Sequence, residues 1–332
     1  MPNQFGPWAT TIHVGSNPQL STFWQRRMNR LVPVSQTSPV LSRRSLLAMG
    51  AAGTLTSLLP TVRFSAAMAE DNPNVLIYEI DPQSRPAGAP SPDMDRVVKV
   101  IDRRLNSPAE KLATVRKIND RQIEVTLLRP SEADRQRVER QVTRTGTLAF
   151  RILANSHADK AIIDRAEKEP SKNELLDSAG TQIAWWVPVK AGQESGFTKS
   201  TAVGWRRRQQ DGREVTEVLV MADPYHVTGA YLTQVEAGRD RAGRPCLSFR
   251  LSDAGGKLFA RLTSEHLPDK TTKVYRRLGI IIDGELYSAP QLNSTISDRG
   301  VIEGVFSQEE VSDLVNAINA GSLSVRLRRV RK

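Results

Sequence analysis

Beyond residue 69 the chain carries three histidines, His157, His226 and His266, and it has a single cysteine, Cys246. The histidines are far apart in sequence and none falls in an HExxH or similar ligand spacing, so zinc chemistry has no donor set. One cysteine excludes an internal disulfide and a cysteine-cluster metal site. Ser252-Asp253-Ala254-Gly255-Gly256-Lys257 has the glycines and lysine of a phosphate loop. It lacks the upstream glycine and the following hydroxyl, and reads as a helix opening. There is no Gly-x-Ser-x-Gly elbow, and Cys246 sits in a strand pattern where a small buried hydrophobe is its usual role. Carboxylates are plentiful, but their spacing does not distinguish a catalytic pair from solvated surface. The sequence thus offers no catalytic, cofactor-binding or metal-binding residue, and the expectation is a protein that acts by contact, not an enzyme.

Two basic clusters remain. Trp205-Arg206-Arg207-Arg208 reads as a strand whose arginines keep a sheet edge soluble, with contact to a peptide or an anionic surface as the alternative. At the C-terminus, Arg326, Arg328, Arg329, Arg331 and Lys332 could lie against an anionic membrane surface, where each charge contributes on the order of 1 kcal/mol; a solvated tail is the alternative. The overall charge of +11 over 332 residues needs dividing. The first 69 residues hold six arginines and no Lys, Asp or Glu, which leaves 41 basic against 36 acidic residues, a net +5, for the rest. A charge that small, spread over some 263 residues, argues against nucleic acid as a partner. With 39% hydrophobic residues the composition is that of a globular protein rather than a polytopic membrane protein.

Residues 1–69 have the order of an export signal. Arg43 and Arg44 precede a mild apolar run from Leu46 to Leu59, and Ala67-Met68-Ala69 supplies small residues for cleavage after Ala69. The adjacent arginines resemble the twin-arginine type. The run is too short and too polar for a comfortable bilayer span of about 20 residues. The expectation is a cleaved leader and a periplasmic domain, in contact with the outer face of the cytoplasmic membrane or free of it. An uncleaved anchor and a disordered basic tail are the alternatives.

Behind the leader, Val75 to Ile80 reads as a strand, and Asp93 caps a helix whose apolar face is Met94, Val97, Val98, Ile101 and Leu105. A hairpin follows over about 112–118 and 122–128. Ser131-Glu132-Ala133-Asp134 makes a weak capping box for a helix bearing Val138 and Val142, and Leu148, Phe150 and Ile152 alternate as a strand. The order βαββαβ predicts a ferredoxin-like base over 70–155 with a four-stranded antiparallel sheet. An α+β head over 156–322 follows, irregular from 156 to 240 apart from one helix, a strand near 183–187 and a hairpin at Asp211-Gly212. The head continues with a strand at 247–251, a helix after Ser252, and a hairpin turned by Asp283-Gly284. A capped helix from Ser307 stops at Gly321, and a final strand and basic tail occupy 323–332. The two halves thus repeat in pattern.

Several blocks, in order, resemble SecD, a membrane subunit of the bacterial protein-export machinery. They are Ile123 to Leu127, Gly146 to Arg151, Phe249 to Ser252, Phe259 to Thr263, Ile282 to Pro290, Ile302 to Ser307 and Ala320 to Leu323. Asp223 to Leu232 adds a likeness to the planctomycete-type members. The resemblance implies the large first periplasmic domain, a base with an inserted head, without the membrane helices that carry the family's proton relay. It further implies a non-enzymatic, accessory or regulatory role in Sec-dependent translocation, with unfolded preprotein and translocon subunits as partners. A module at the membrane surface that no longer serves export is the competing reading. The motif residues Asp283, Gly284, Pro290, Gly304 and Gly321 have structural explanations in turns, a strand end and a helix stop.

Overall fold

The computed structural model describes residues 74–84, 91–107, 110–128, 130–200, 202–210, 212–269, 271–272 and 274–330. Arg43, Arg44, Ala67, Ala69, Arg331 and Lys332 lie outside the described residues. Strand β1 (Val75–Ile80) buries Leu76, Tyr78 and Ile80 on one face. The Asp93 carboxylate accepts from the N–H groups of Asp95 at 3.0 Å and Arg96 at 3.2 Å and so caps α1 (Met94–Leu105). The hairpin β2 (Ala113–Asn119) and β3 (Gln122–Leu127) follows. At the start of α2 (Glu132–Thr143), Ser131 and Asp134 complete a reciprocal box: Oγ of Ser131 accepts from Asp134 N, and Oδ2 of Asp134 accepts from Ser131 N at 2.8 Å.

The chain then enters the head. It forms β4 (Leu148–Ile152), α3 (Lys160–Lys168), β5 (Glu174–Leu176), β6 (Gln182–Pro188), β7 (Trp205–Gln210) and β8 (Arg213–Met221). The middle segment is therefore more regular than its sequence suggests, with a four-stranded sheet in the order β5-β6-β8-β7. Helix α3 packs Ile163 and Ala166 against Leu175, Trp186 and Leu219 of that sheet. Strands β9 (Leu232–Arg239) and β10 (Pro245–Leu251), helix α4 (Asp253–Ser264), strands β11 (Leu278–Ile282), β12 (Glu285–Ser288) and β13 (Arg299–Ile302), helix α5 (Gln308–Ala320) and β14 (Leu327–Arg329) complete the chain. They build two further sheets, β13-β10-β9 and β12-β11-β4, over a core in which the rings of Phe150, Phe249 and Phe259 meet.

The base sheet runs β14-β1-β3-β2, the order of a ferredoxin-like sheet, but its fourth strand is not the expected one. Residues 148–152 pair with β11, from Leu278↔Ile152 to Ile282↔Leu148. The place beside β1 is taken by β14, through Tyr78↔Arg329 and Ile80↔Leu327. Alternation specifies which face of a strand is buried, not which neighbour it pairs with. Leu148, Phe150 and Ile152 bury against the head core, while Leu327 joins Leu76, Ile101 and Val125 in the base core. The final strand accordingly begins at Leu327 rather than 323. The apparent repeat is also one of pattern alone, since β10 and β11 lie in different sheets.

Candidate functional site

The chain crosses between base and head twice, and Asp283, Gly284 and Gly321 lie at those crossings, while Pro290 and Gly304 lie elsewhere in the head. Asp283 and Gly284 have φ of 54° and 84°, the positive pair that a tight hairpin turn between β11 and β12 requires. Asp283 does more than turn the chain: its Oδ1 accepts from the Thr145 hydroxyl at 2.8 Å and from the N–H groups of Gly146 at 2.6 Å and Thr147 at 3.1 Å. Gly321, with φ of 101°, stops α5. Pro290 lies buried beyond the end of β12, its carbonyl accepting from Leu278 N at 2.9 Å. Gly304 lies where a Cβ would come within 2.9 Å of the Phe306 ring.

Opposite Asp283 stands a residue the sequence reading passed over. Arg104, in the last turn of α1, is 4% exposed. Its Nη1 donates to the carbonyls of Gln141 at 3.0 Å and Arg144, and its Nη2 donates to those of Thr145 and Gly321, both at 2.9 Å. Three helix C-termini, those of α1, α2 and α5, thus converge on one guanidinium, whose charge complements their dipoles. Burial pushes its pKa down to about 10, against the pull of Asp283, so it stays charged at neutral pH. A signal was present in the sequence: Val97, Ile101 and Arg104 stand at i, i+4 and i+7, so an arginine occupies a place in the apolar stripe.

The basic tail is anchored as far as it is described. Arg328 pairs with Glu79 at 2.6 Å, Arg329 with Glu139 at 3.6 Å, and Arg326 donates to the Asp283 carbonyl at 3.3 Å.

A second place faces outward. A groove of about 620 Å³ lies beside β5, the edge strand of its sheet, and is lined by Trp185, Trp186, Leu176, Arg165, Lys172 and Gln182. Leu176 is 39% exposed at this edge. The wall charges are occupied within the chain, Arg165 donating to the Leu176 carbonyl at 2.7 Å and Lys172 pairing with Glu169 at 2.7 Å. What remains for a ligand is the apolar part of the groove wall and the stretch of the β5 edge that Arg165 leaves free, a place for an apolar side chain on an extended backbone.

The arginines of β7 are not the solubility device expected of them. Arg206 and Arg208 bracket Glu217, which is 2% exposed, at 2.7 and 2.9 Å. Arg206 also lies over the Trp186 ring at 4.4 Å and donates to the carbonyls of Pro170 and Lys172, both at 2.9 Å. Arg207 points to the other face, 3.6 Å from Glu214. The histidines are scattered: His266 Nδ1 sits 2.7 Å from the Leu262 carbonyl, while the backbone N–H groups of His226 and His157 donate to Asp223 and Asn155. Among the described residues no three His, Cys, Asp or Glu side chains are placed to hold a metal ion.

Residues 206–325 match the family model described as SecDF, P1 head subdomain. The protein translocase subunit SecD of Koribacter versatilis is 37% identical over 102 residues, 31% of this chain and 18% of that protein. SecD of Elusimicrobium minutum is 26% identical over 267 residues, 77% of this chain and 50% of that protein. The chain thus spans half or less of the length of these relatives. A solved structure described as a membrane component SecDF that enhances protein export shares the fold, with a TM-score of 0.51 at 22% identity over 78% of this chain and 98% of that one. The head model matched over residues 206–325, SecD relatives aligned along most of the chain, and a base sheet that closes through β14 around the inserted head, as the shared fold has it, support a first periplasmic domain similar to that of SecD.

Proposed function

We propose that this chain serves Sec-dependent protein export outside the cytoplasm, holding extended stretches of a translocating polypeptide by contact and catalysing no reaction. The observation that carries this reading is the open edge of β5 beside the tryptophan-lined groove, in a domain of SecD type. Export substrates are unfolded and varied in sequence. Main-chain pairing to a strand edge tolerates any sequence, and an indole surface accepts any apolar side chain. The relatives are protein translocase subunits, and on that likeness the translocon is the partner, with the chain acting as its accessory or regulator.

The test is to titrate the full chain with an unfolded secretory protein and with the same protein folded, following tryptophan fluorescence. Saturable binding to the unfolded form alone is expected. Leu176→Asp, which puts a charge at the groove, is expected to weaken it about tenfold, or roughly 1.4 kcal/mol. Equal binding of both forms, or none, removes the reading. The rival, a module held at an anionic membrane by its basic tail, has less support because Arg326, Arg328 and Arg329 already have partners within the chain. Co-purification with translocon subunits separates the two.

A further inference from the structure

One carbonyl of the β5 edge is already taken. On the inner side of the strand the Asn173 carbonyl accepts from Trp186 N at 2.9 Å, and Leu175 pairs with Ala184 of β6. Alternate residues of an antiparallel strand bond to opposite sides, so Glu174 presents its backbone groups outward, where a further strand would pair. The ladder shifts register between Leu175 and Leu176. The Leu176 carbonyl then meets Arg165, whose Nη2 donates to it at 2.7 Å, a side-chain donor in the place of a strand's N–H. The Glu174 carbonyl has no donor of that kind among the described residues. Arg165 is held there by its helix, since α3 packs Ile163 and Ala166 against the sheet. Its carboxylate neighbour, Glu169, stands 3.8 Å from Arg165 but 2.7 Å from Lys172, so the carbonyl is the closer partner of the guanidinium. An unpaired edge that also exposes a leucine is a template for any passing strand, and a charged side chain laid on it limits that pairing.

We propose that Arg165 guards the β5 edge: by holding the Leu176 carbonyl it confines an added polypeptide to main-chain pairing at Glu174. The ligand is then a short extended segment, chosen by one backbone N–H and one apolar side chain and not by a long run of strand. Proline is excluded at the single position that donates to Glu174 and accepted on either side of it. This rests on the polypeptide-holding reading above and names the ligand chemistry of the same groove.

The test compares the full chain with Arg165→Met, which removes the guanidinium, keeps an unbranched stem beside the groove and suits a helix. The probe is a fluorescent decapeptide of serine and threonine with one central leucine, which fixes the register, and proline is placed at each other position in turn. The parent is expected to show one position where proline abolishes binding. Arg165→Met is expected to bind about fivefold tighter, the effect of one added hydrogen bond, and to show a second such position two residues from the first. Equal or weaker binding by Arg165→Met, or the same number of proline-sensitive positions in both chains, overturns the proposal. Should the peptide bind neither chain, the polypeptide-holding reading fails, and sedimentation over rising protein concentration decides the guard separately. Association of Arg165→Met beyond that of the parent, edge to edge between copies, supports the guard, and equal behaviour overturns it.

Discussion

Arg104 and Asp283 share one four-residue segment, 144–147, the first holding its carbonyls and the second its N–H groups. The guanidinium takes the carbonyls of Arg144 and Thr145, and the carboxylate takes the N–H groups of Gly146 and Thr147. The peptide dipoles of the crossing are thereby strung between a cation and an anion, as those of a helix are between its charged termini. The arrangement lets an irregular segment satisfy its backbone polar groups without a ladder partner, which buried backbone otherwise demands. It also explains why the crossing contains a glycine.

Gly146 has φ of 70°, and a Cβ there would stand 2.5 Å from Arg104 Nη2 and 2.7 Å from the Ala317 carbonyl oxygen. Gly146→Ala combines left-handed strain with a clash against backbone that has no room to yield. The expected loss is about 3 kcal/mol, read as a lower urea midpoint with an unchanged slope. A loss below about 0.5 kcal/mol, the size of an ordinary surface change, would contradict the geometry.

Tyr78 makes the opposite kind of prediction. It is 0% exposed, and its hydroxyl has no hydrogen-bond partner among the described residues. Burial raises its pKa above the ordinary phenol value, with Glu139 adding to the effect. Tyr78→Phe removes an unsatisfied polar atom while keeping the ring, so stability is expected to rise by about 1 kcal/mol, and thermal unfolding at pH 7 measures it. A drop of similar size would mean that the hydroxyl is bonded.

How far the sequence discloses this architecture depends on the range of the interaction. Caps written in adjacent residues were legible: Asp93 before α1 and Ser131 with Asp134 before α2 stand as read. The place of 148–152 was not, because the partner of that strand, β11, is more than a hundred residues away and β14 carries the same kind of alternation. The Arg206 pair was legible and missed. A two-residue turn at Asp211-Gly212 sets Gln210 opposite Arg213, and counting back along both strands brings Arg206 opposite Glu217. The Arg104 cluster needs four carbonyls from two stretches far apart in sequence, 141–145 and Gly321, and only its intrusion into an apolar stripe could have marked it.

Cys246 offers a pH-dependent readout of the head. It is 3% exposed, and burial, helped by Asp240 and Glu303, pushes its thiol up to about 11. An unfolded thiol titrates near about 8.5, so the folded chain binds this proton more tightly. Its contribution to stability is therefore complete below about 8.5 and is lost as pH rises toward about 11. Urea midpoints measured from pH 7 to 10.5 are expected to fall with pH more steeply in the parent than in Cys246→Ala. Parallel curves would show that the thiol is not desolvated. At pH 8 the native thiol is expected to react slowly with a disulfide reagent and to speed up with denaturant.

The pair of arginines on the buried Glu217 decides whether charge or packing holds the outer sheet. Glu217→Gln leaves the guanidinium of Arg206, whose side chain is 13% exposed, without its counter-charge. Breaking one side of a buried pair costs about 3 kcal/mol, whereas removing both sides with apolar groups of similar size is often neutral. Three of the chain's five tryptophans, Trp185, Trp186 and Trp205, belong to this sheet, so fluorescence-detected unfolding reports on it directly. The midpoint is expected to fall for Glu217→Gln and to return most of the way in the double variant Arg206→Met, Glu217→Leu. If the double variant is as weak as the single one, the stacking of Arg206 on Trp186 at 4.4 Å, not the ion pair, holds the groove wall in place.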